Sequence, residues 1–521
     1  MARALKEGRP SRCLALSDSC VEMPPLEVTD RMVKLYFGSF ESTHRILHVP
    51  SFYSEYRRYW DAPETAAAAL RLKIILVVGL GFGIASEDEQ SEAVREMVYR
   101  GIYAAQAWLS GPLEKDRLSL AGIQIHCLTI LARQMFSVGG DLVWVSTGTL
   151  VHHAMQIGLH RDPRHFPAMT VIQAELRRRL WATILELVVQ SSLDAALPPR
   201  ISLDEFDTDA PLNVDDAALG DSTTPPHARP RAVFTATTTQ ILLLETIPAR
   251  LRVLRQLSGL HTDLSYIEVL ARSEEITAAD RACRAHLAAA PPSAGGPTPF
   301  QRNMASYLIR RFLLPLHLPF AARARANPLF AHSADVVRDT ATALTTPEPD
   351  DDDDGNDNAA FARLLARAGG SFRADFRHAM TVLGLELLGR VEAQRLDGAL
   401  RRGAADREPL RRAVGALLAR AAERLRAGET NVKSHMFLSM VMAQVEAVEA
   451  GRPAGVDVAR SAVESVRFAR RLLQERLGAA AEGMRQPGEE GAFSPGAGRF
   501  DGELELDMDF DFFMPDSRLA F

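Results

Sequence analysis

The chain has 521 residues, 47% of them hydrophobic and 24% charged, which is ordinary globular composition with ample length for a large core. Its formal net charge of −6 argues against a general attraction to polyanions, so any contact with nucleic acid needs a local basic patch. The most apolar run, residues 74–85, is too short to cross a bilayer, and the N-terminus has no uninterrupted apolar segment. We therefore expect neither a membrane span nor a signal peptide.

The four cysteines are too few and too scattered for a disulfide framework, and they suit a reducing compartment. Cys13 and Cys20 are separated by six residues, a spacing that occurs inside zinc clusters, but two thiolates cannot complete a tetrahedral zinc site. His152 and His153 point about 100° apart on a helix, so they are poorly placed to share one ion. The sequence therefore predicts no metal site and no cofactor in this chain.

From residue 29 onward the apolar residues recur mostly with helical spacing, which predicts an all-α, multi-helix fold with disordered termini and an acidic loop. Thr29 or Asp30 is expected to cap the first helix and Ser51 the second, with Pro50 in the connector between them. The glycines in residues 79–83 have the wrong spacing for a dinucleotide fingerprint, so a buried core helix is the simpler interpretation. Other helices are predicted over 66–83, 92–109, 118–136 and 432–448, with a last helix that Asp457 caps and that ends at Gly478.

Four short motifs occur in the helical region, and the third of them is described separately below. The first, residues 45–52, reads RILHVPSF within an aromatic-rich stretch over 34–60, and by itself it is also typical of a buried aromatic helix pair. The second begins at Gly158, which is suited to the left-handed position after a helix, and continues Leu159, His160 and Arg161. The fourth, at residues 316–320, reads LHLPF and contains His317 and Pro319.

The third motif runs from Glu175 to Asp216. Thr170 to Gln173 has the form of a capping box, and a triple arginine with Trp181 follows it. Because consecutive helical residues point about 100° apart, the three arginines cannot form one flat phosphate-binding face. We predict instead that they pair with Asp204, Glu205, Asp207 or Asp209, with phosphate contact as the alternative.

In this order the motifs resemble the fungal-specific transcription factor domain, the regulatory middle region of zinc-cluster (Zn2Cys6) activators. The turn departs from the family pattern, which often has a glycine where this chain has Leu197 before Pro198. The matching positions, which we expect to have structural or regulatory roles, are Arg45, His48, Pro50, Phe52, Gly158, Leu159, His160, Arg161, Arg178, Trp181, Pro198, Asn213, His317 and Pro319.

The resemblance implies a helical regulatory domain that acts in the nucleus on transcription by RNA polymerase II, and it leaves small-molecule sensing and homodimer formation open. The family's zinc cluster, which places a short helix in the major groove, is missing from this sequence. Zinc is therefore implied only for that missing cluster, and DNA is an expected partner only if such a cluster lies upstream.

The resulting organisation has five parts. Residues 1–26 are a flexible leader, 27–345 the helical regulatory domain, 346–360 an acidic disordered loop and 361–478 the C-terminal helical part of the same domain. Residues 479–521 form a disordered tail in which acidic residues alternate with large apolar ones over 500–513. Such a segment is typical of acidic activation regions that bind the transcription machinery or a co-activator, and Phe510, Phe512 and Phe513 are its candidate contacts. An edge strand is the structural alternative.

Catalysis is not predicted. The sequence has no nucleophile-elbow signature, no HExxH, no Cys-x-x-Cys and no P-loop, and the adjacent Asp215 and Asp216 sit in a predicted turn. The alternative to a transcription regulator is a non-catalytic helical protein that binds a small molecule or a partner without binding DNA.

Overall fold

The structure is a computed structural model that describes residues 21–111, 117–139, 142–259, 264–290, 295–347, 356–368, 370–427, 429 and 431–483. These residues form α-helices joined by turns and short 3₁₀ segments, and no strand occurs among them. The prediction of an all-α fold is confirmed.

The first part of the described chain consists of helices that run from an aromatic N-terminal pair to the long helix of the third motif. They are α1 (Leu26–Gly38), α2 (Phe40–His44), α3 (Val49–Asp61), α4 (Ala68–Ile84), α5 (Glu92–Ser110), α6 (Leu120–Phe136), α7 (Val143–Gln156) and α8 (Val171–Ala195).

After a connector over residues 196–237 the helices resume and continue to the end of the described chain. They are α9 (Thr238–Leu257), α10 (Tyr266–Ala289), α11 (Pro299–Arg310), α12 (Leu313–Ala321), α13 (Ala331–Thr345), α14 (Asn356–Arg367), α15 (Arg373–Leu396), α16 (Ala404–Arg426), α17 (Lys433–Glu449) and α18 (Ala454–Gly483).

Helix α4 lies at the centre of the core. All of its residues from Leu72 to Ile84 are buried, because this helix is apolar around its whole circumference and packs against α1, α5, α6 and α14. Gly81 is required there, since a Cβ atom would overlap the backbone of Met32 in α1. The buried apolar side chains form one main cluster in space, and its members range in sequence from Met32 to Val448.

Two predicted helix starts are wrong. Helix α1 begins at Leu26, so Thr29 lies inside its first turn and its Oγ1 donates to the carbonyl of Pro24 at 3.0 Å. Helix α3 begins at Val49 after His48, so Ser51 is not the N-cap. Pro50 occupies the first turn of α3, where the N–H that proline lacks would have no helical partner.

Two other local predictions are confirmed. Thr170 and Gln173 form the expected capping box at the start of α8, with both reciprocal bonds at 3.3 Å. Gly158 has φ +76° after α7, and the N–H of Leu159 donates to the carbonyl of Ala154 at 2.9 Å, as in a Schellman motif.

The C-terminal boundaries differ from the predicted ones. Helix α18 begins at Ala454, which places Asp457 inside the first turn instead of at the cap, and it runs to Gly483 instead of Gly478. Helix α14 begins at Asn356, within the stretch 346–360 that the sequence predicts to be an extended loop, so the predicted loop is too long at its C-terminal end. Residues 348–355, most of the leader and the tail from 484 lie outside the described residues.

No helix in the described ranges is long and apolar enough to cross a membrane.

Candidate functional site

The first and third motifs meet at Asp216. Arg45 donates a hydrogen bond from Nη2 to Asp216 Oδ1, and Arg179 Nη1 donates to the same oxygen at 2.7 Å. The backbone N–H of Val49 donates to Oδ2 of Asp216 at 2.8 Å. One carboxylate therefore joins α8 to the connector between α2 and α3, across more than 160 positions of sequence.

The backbone before Pro50 positions the groups of the first motif that contact Asp216. Arg45 has φ 52°, a left-handed conformation that ends α2 and turns the chain. His48 then places Nε2 3.1 Å from the carbonyl oxygen of Asp216 and Nδ1 2.8 Å from Ser51 Oγ. Phe52 is buried, with its ring centroid 5.1 Å from that of Phe37 in α1. The segment RILHVPSF thus supplies three groups that contact Asp216, namely the side chains of Arg45 and His48 and the N–H of Val49.

Ion pairs stabilise the junction at Asp216, which is buried. Burial alone would raise the pKa of Asp216, but Arg45, Arg179 and the Val49 N–H lower it to about 2. Glu41 lies nearby and accepts from Tyr36 Oη at 2.7 Å and from the Leu47 N–H at 2.9 Å. Burial raises the pKa of Glu41 to about 7, against the opposing effect of Arg45.

The second and third motifs meet at Asp162. Arg178 donates to its two carboxylate oxygens from Nε at 2.9 Å and from Nη2 at 3.0 Å, and from Nη1 to Glu175 at 2.6 Å. The N–H of Asp209 donates to Asp162 at 3.1 Å, while the N–H of Leu212 donates to Glu175 at 2.8 Å. Burial would raise the pKa of Asp162, but hydrogen bonds from Arg178 and the Arg164 N–H lower it to about 2.

The predicted acidic partners of the triple arginine are wrong. Arg178 and Arg179 pair with Asp162, Glu175 and Asp216, none of which belongs to the predicted set. Arg177 donates to the carbonyl of Ile157 at 2.8 Å, with its guanidinium 5.0 Å from the centroid of the Phe166 ring. The helical step sends the three side chains in three directions, and each is engaged within the chain, which argues against the phosphate alternative.

The residues after Gly158 join the same region. Leu159 is fully buried, and its carbonyl accepts from Thr208 Oγ1 at 2.7 Å. His160 has its ring centroid 6.3 Å from that of the buried Trp181, and Arg161 pairs with Asp207 at 3.0 Å on the surface. The Gly-Leu-His-Arg segment therefore lies beside the N-terminal half of α8.

Asn213 and Pro198 fix the connector that leads to α9. Asn213 Oδ1 accepts from Thr235 Oγ1 at 2.7 Å and from Thr238 Oγ1 at 3.0 Å, while Nδ2 donates to the carbonyl of Val233 at 3.0 Å. The carbonyl of Pro198 accepts from Trp144 Nε1 at 3.2 Å.

The fourth motif lies apart from these two junctions. His317 is fully buried in α12, with Nδ1 2.9 Å from Ser333 Oγ, and burial lowers its pKa to about 4. Pro319 lies inside the same helix. Phe510, Phe512 and Phe513 lie outside the described residues.

A second buried network was not predicted. Arg250 donates to both carboxylate oxygens of Glu186 at 2.7 Å, and Arg311 contacts Gln190 Oε1 at 2.8 Å, Asp375 at 2.8 Å and Asp194. No local pattern could have revealed it, because each arginine lies 64 to 121 positions from the side chains that it contacts. These charges come together only because α8, α9 and α15 pack around Arg311, which lies between α11 and α12.

Both junctions are networks of ion pairs and hydrogen bonds within the chain. Their carboxylates are surrounded by donors from the chain itself, and the arginines that meet them are mostly buried. Across the described parts of the chain, no group of three or more His, Cys, Asp or Glu residues is arranged to hold a metal ion.

Comparison with known proteins places these junctions in a family. A family model described as the fungal specific transcription factor domain matches residues 33–259, which include the first three motifs but not His317 or Pro319. No solved structure matches the chain.

Curated relatives extend over most of the chain. It is 42% identical to the transcription factor asR3 of Sarocladium schorii, over 91% of this chain and 60% of that protein. It is 34% identical to the transcription factor lepE of Aspergillus flavus, over 94% of this chain and 60% of that protein. The aspyridones cluster regulator apdR of Emericella nidulans is 36% identical over 52% of this chain and 37% of its own length.

The chain therefore spans about 60% of the length of asR3 and of lepE. The matched segment contains both junctions that join the motifs, at Asp162 and at Asp216. Residues 33–259 therefore carry a fungal specific transcription factor domain, as the matching family model and the similarity to asR3 show.

Proposed function

We propose that this chain is the regulatory region of a fungal transcription regulator that acts on RNA polymerase II transcription in the nucleus. The observation that carries the proposal is the joining of three family motifs at Asp162 and Asp216, inside a segment that matches a transcription factor domain. The names of asR3 and lepE, which are transcription factors, support it.

DNA binding belongs to another part of the machinery in this proposal. The chain contains no six-cysteine cluster, and its net charge is −6, so a zinc cluster encoded upstream or a partner protein supplies the contact with DNA. We propose that the chain forms a homodimer, because a dimer would place two DNA-binding modules on paired half-sites of the DNA. Analytical ultracentrifugation of the purified chain tests this arrangement.

The chain acts without catalysis in this proposal. The carboxylates at the two junctions, Asp162 and Asp216, are buried and accept hydrogen bonds from donors of the chain, so neither is available to accept a proton from a substrate.

The acidic tail is the proposed contact with the transcription machinery or a co-activator. We expect residues 500–513, fused to an unrelated DNA-binding domain, to activate a reporter gene, because repulsion among the acidic residues keeps the large apolar ones available to a partner. Changing Phe510, Phe512 and Phe513 to alanine should remove most of that activation. Reporter output at equal protein level is the measurement.

The control for the tail uses phenylalanines outside the alternating stretch. In a fusion of residues 479–521, the Phe493→Ala and Phe521→Ala changes should leave activation unchanged. Equal reporter output from the triple variant and the unchanged tail would reject the activation role.

A further inference from the structure

A cleft of about 730 Å³ lies between α4, α5 and α6 on one side and α14 and α16 on the other. It therefore opens between the matched domain, which ends at residue 259, and the helices that follow. The volume is in the range of small-molecule sites in proteins. Neither junction at Asp162 nor at Asp216 lines it.

Arginine dominates the charged lining of the cleft. Arg424 pairs with Glu429 at 2.7 Å, and Arg95 pairs at 3.2 Å with Glu92, which lies outside the lining. The charged groups that line the cleft are Arg95, Arg363, Arg367, Arg420, Arg424 and Arg426, with Glu87, Glu423 and Glu429. The lining therefore has an excess of positive charge.

Three of these arginines are held in place by neutral partners. Arg363 Nε donates to the carbonyl of Ile84 at 2.6 Å, Arg367 donates to the carbonyl of Ala85, and Arg420 donates to the carbonyl of Thr345 at 2.8 Å. Within the described ranges, none of the three forms an ion pair with a carboxylate. Their guanidinium groups are thus held by neutral carbonyls, and the carboxylates that act on their charge, Glu87, Glu89 and Glu423, do so without forming an ion pair with them.

The surroundings of these groups make that charge costly. Burial lowers the pKa of Arg363, and burial together with Arg363 lowers the pKa of Arg367. The C-terminal end of α4 offers the partial negative charge of its carbonyl groups. An anion in the cleft would add a counter-charge in direct contact with these guanidinium groups, through charge-assisted hydrogen bonds.

The cleft also has an apolar side. Met135 and Ala366 are buried, and Phe136 is half-buried beside them. A bare inorganic ion would leave this surface uncovered, whereas an organic molecule would cover it.

We infer that the cleft binds a small organic anion, whose negative group contacts Arg363, Arg367 and Arg420 and whose aromatic or hydrocarbon body lies against Met135 and Phe136. The inference concerns binding alone and requires no transcription readout. Failure of the binding test would leave the proposed function standing, and failure of the reporter assay would leave the cleft standing.

Two fluorescent probes with the same aromatic body test the inference on the purified chain. Anilinonaphthalene sulfonate is an anion, and N-phenylnaphthylamine is its neutral counterpart. We expect the sulfonate to bind at least about tenfold more tightly, and its affinity to fall as salt is raised. Equal affinity of the two probes, or no effect of salt, would overturn the inference.

Substitutions locate the binding. Arg363→Gln with Arg367→Gln removes two charges but keeps donors for the α4 carbonyls, and should weaken sulfonate binding about tenfold or more without changing binding of the neutral probe. The control pair, Arg401→Gln with Arg412→Gln, removes the same charge from exposed positions outside the cleft and should leave both affinities unchanged.

A variant that is expected to increase sulfonate affinity distinguishes an effect on the cleft from a loss of folding. Glu423→Gln removes an exposed negative charge from the lining and should tighten sulfonate binding. Thermal unfolding followed by circular dichroism shows whether each variant is folded. Weaker or unchanged sulfonate binding by the folded Glu423→Gln protein would contradict the assignment, even if the arginine variants failed to fold.

Discussion

Single carboxylates hold the family motifs of this chain together. Asp216 compensates two arginines, of which Arg179 is 1% exposed, so the site contains more positive than negative charge at the point of contact. A buried pair of this kind adds little stability relative to well-packed apolar residues, but removal of one partner leaves a charge buried without compensation. The consequence of mutation is therefore larger than the net contribution of the ion pairs.

We expect Asp216→Asn to lower the free energy of unfolding by about 3–5 kcal/mol, because Arg45 and Arg179 lose their counter-charge inside the core. Urea unfolding of the purified chain measures the change. Asp215→Asn, at the half-exposed neighbouring residue, should cost less than about 1 kcal/mol. Similar losses from the two variants would show that the Asp216 junction has no special weight.

His44 provides a pH-dependent test at the same scale. Its ring is 3% exposed, neither ring nitrogen has a hydrogen-bond partner among the described residues, and burial lowers its pKa to about 4. The unfolded chain therefore binds more protons at this residue between pH 6.5 and 4, so stability falls as the pH falls through that window.

We expect His44→Phe to reduce the loss of unfolding free energy between pH 7 and pH 5 by about 2 kcal/mol, since phenylalanine cannot take up the proton. Urea unfolding at the two pH values measures the difference. The exposed His227→Phe variant should keep the pH dependence of the original chain. An unchanged slope in His44→Phe would mean that the buried imidazole does not set it.

The end of α7 determines how the second motif approaches α8. Gly158 ends α7 in a left-handed conformation, and a Cβ at this position would lie 2.8 Å from Phe166 Cζ. Both the backbone and the space therefore require glycine, and the residues that follow can turn toward Asp162 and Trp181.

We expect Gly158→Ala to destabilise the chain by about 1–2 kcal/mol, because alanine pays the left-handed backbone penalty and meets the Phe166 ring. Thermal or urea unfolding measures this. Gly148→Ala, inside α7 with open space around its Cβ position, should instead stabilise the chain by about 0.5–1 kcal/mol. The same sign for both substitutions would reject the assignment of Gly158 as a required left-handed residue.

At the scale of the whole molecule, the physical domain is larger than the matched family segment. Arg311 contacts Asp194 and Gln190, and the N–H of Gly370 donates to the carbonyl of Gln134 at 2.8 Å. The ring centroids of Phe40 and Phe300 are 6.3 Å apart. Residues beyond 259 therefore complete the core of the residues before it.

A fragment comprising residues 21–259 should accordingly unfold at a clearly lower urea concentration than residues 21–483, with a broader transition, because it exposes core surface and leaves Asp194 without Arg311. All four tryptophans lie before residue 259, so tryptophan fluorescence reports on the same region in both proteins. Equal midpoints and slopes would show that the matched segment folds independently.

The sequence by itself determined the helical class, the capping box at Thr170 and the left-handed Gly158, because each depends on a few neighbouring residues and on the apolar period. It also singled out the motifs that meet at Asp162 and Asp216. It placed the starts of α1 and α3 wrongly, since helix ends shift by a few residues when packing favours an extra turn.

Only the tertiary structure decided which acids meet the triple arginine, that Arg311 links the matched domain to α15, and that arginines from α14 and α16 line one cleft beside the C-terminal end of α4. These contacts join residues far apart in the chain. The energy of a charge pair depends on distance and burial in the folded state, and neither quantity is encoded in the spacing of residues along the sequence.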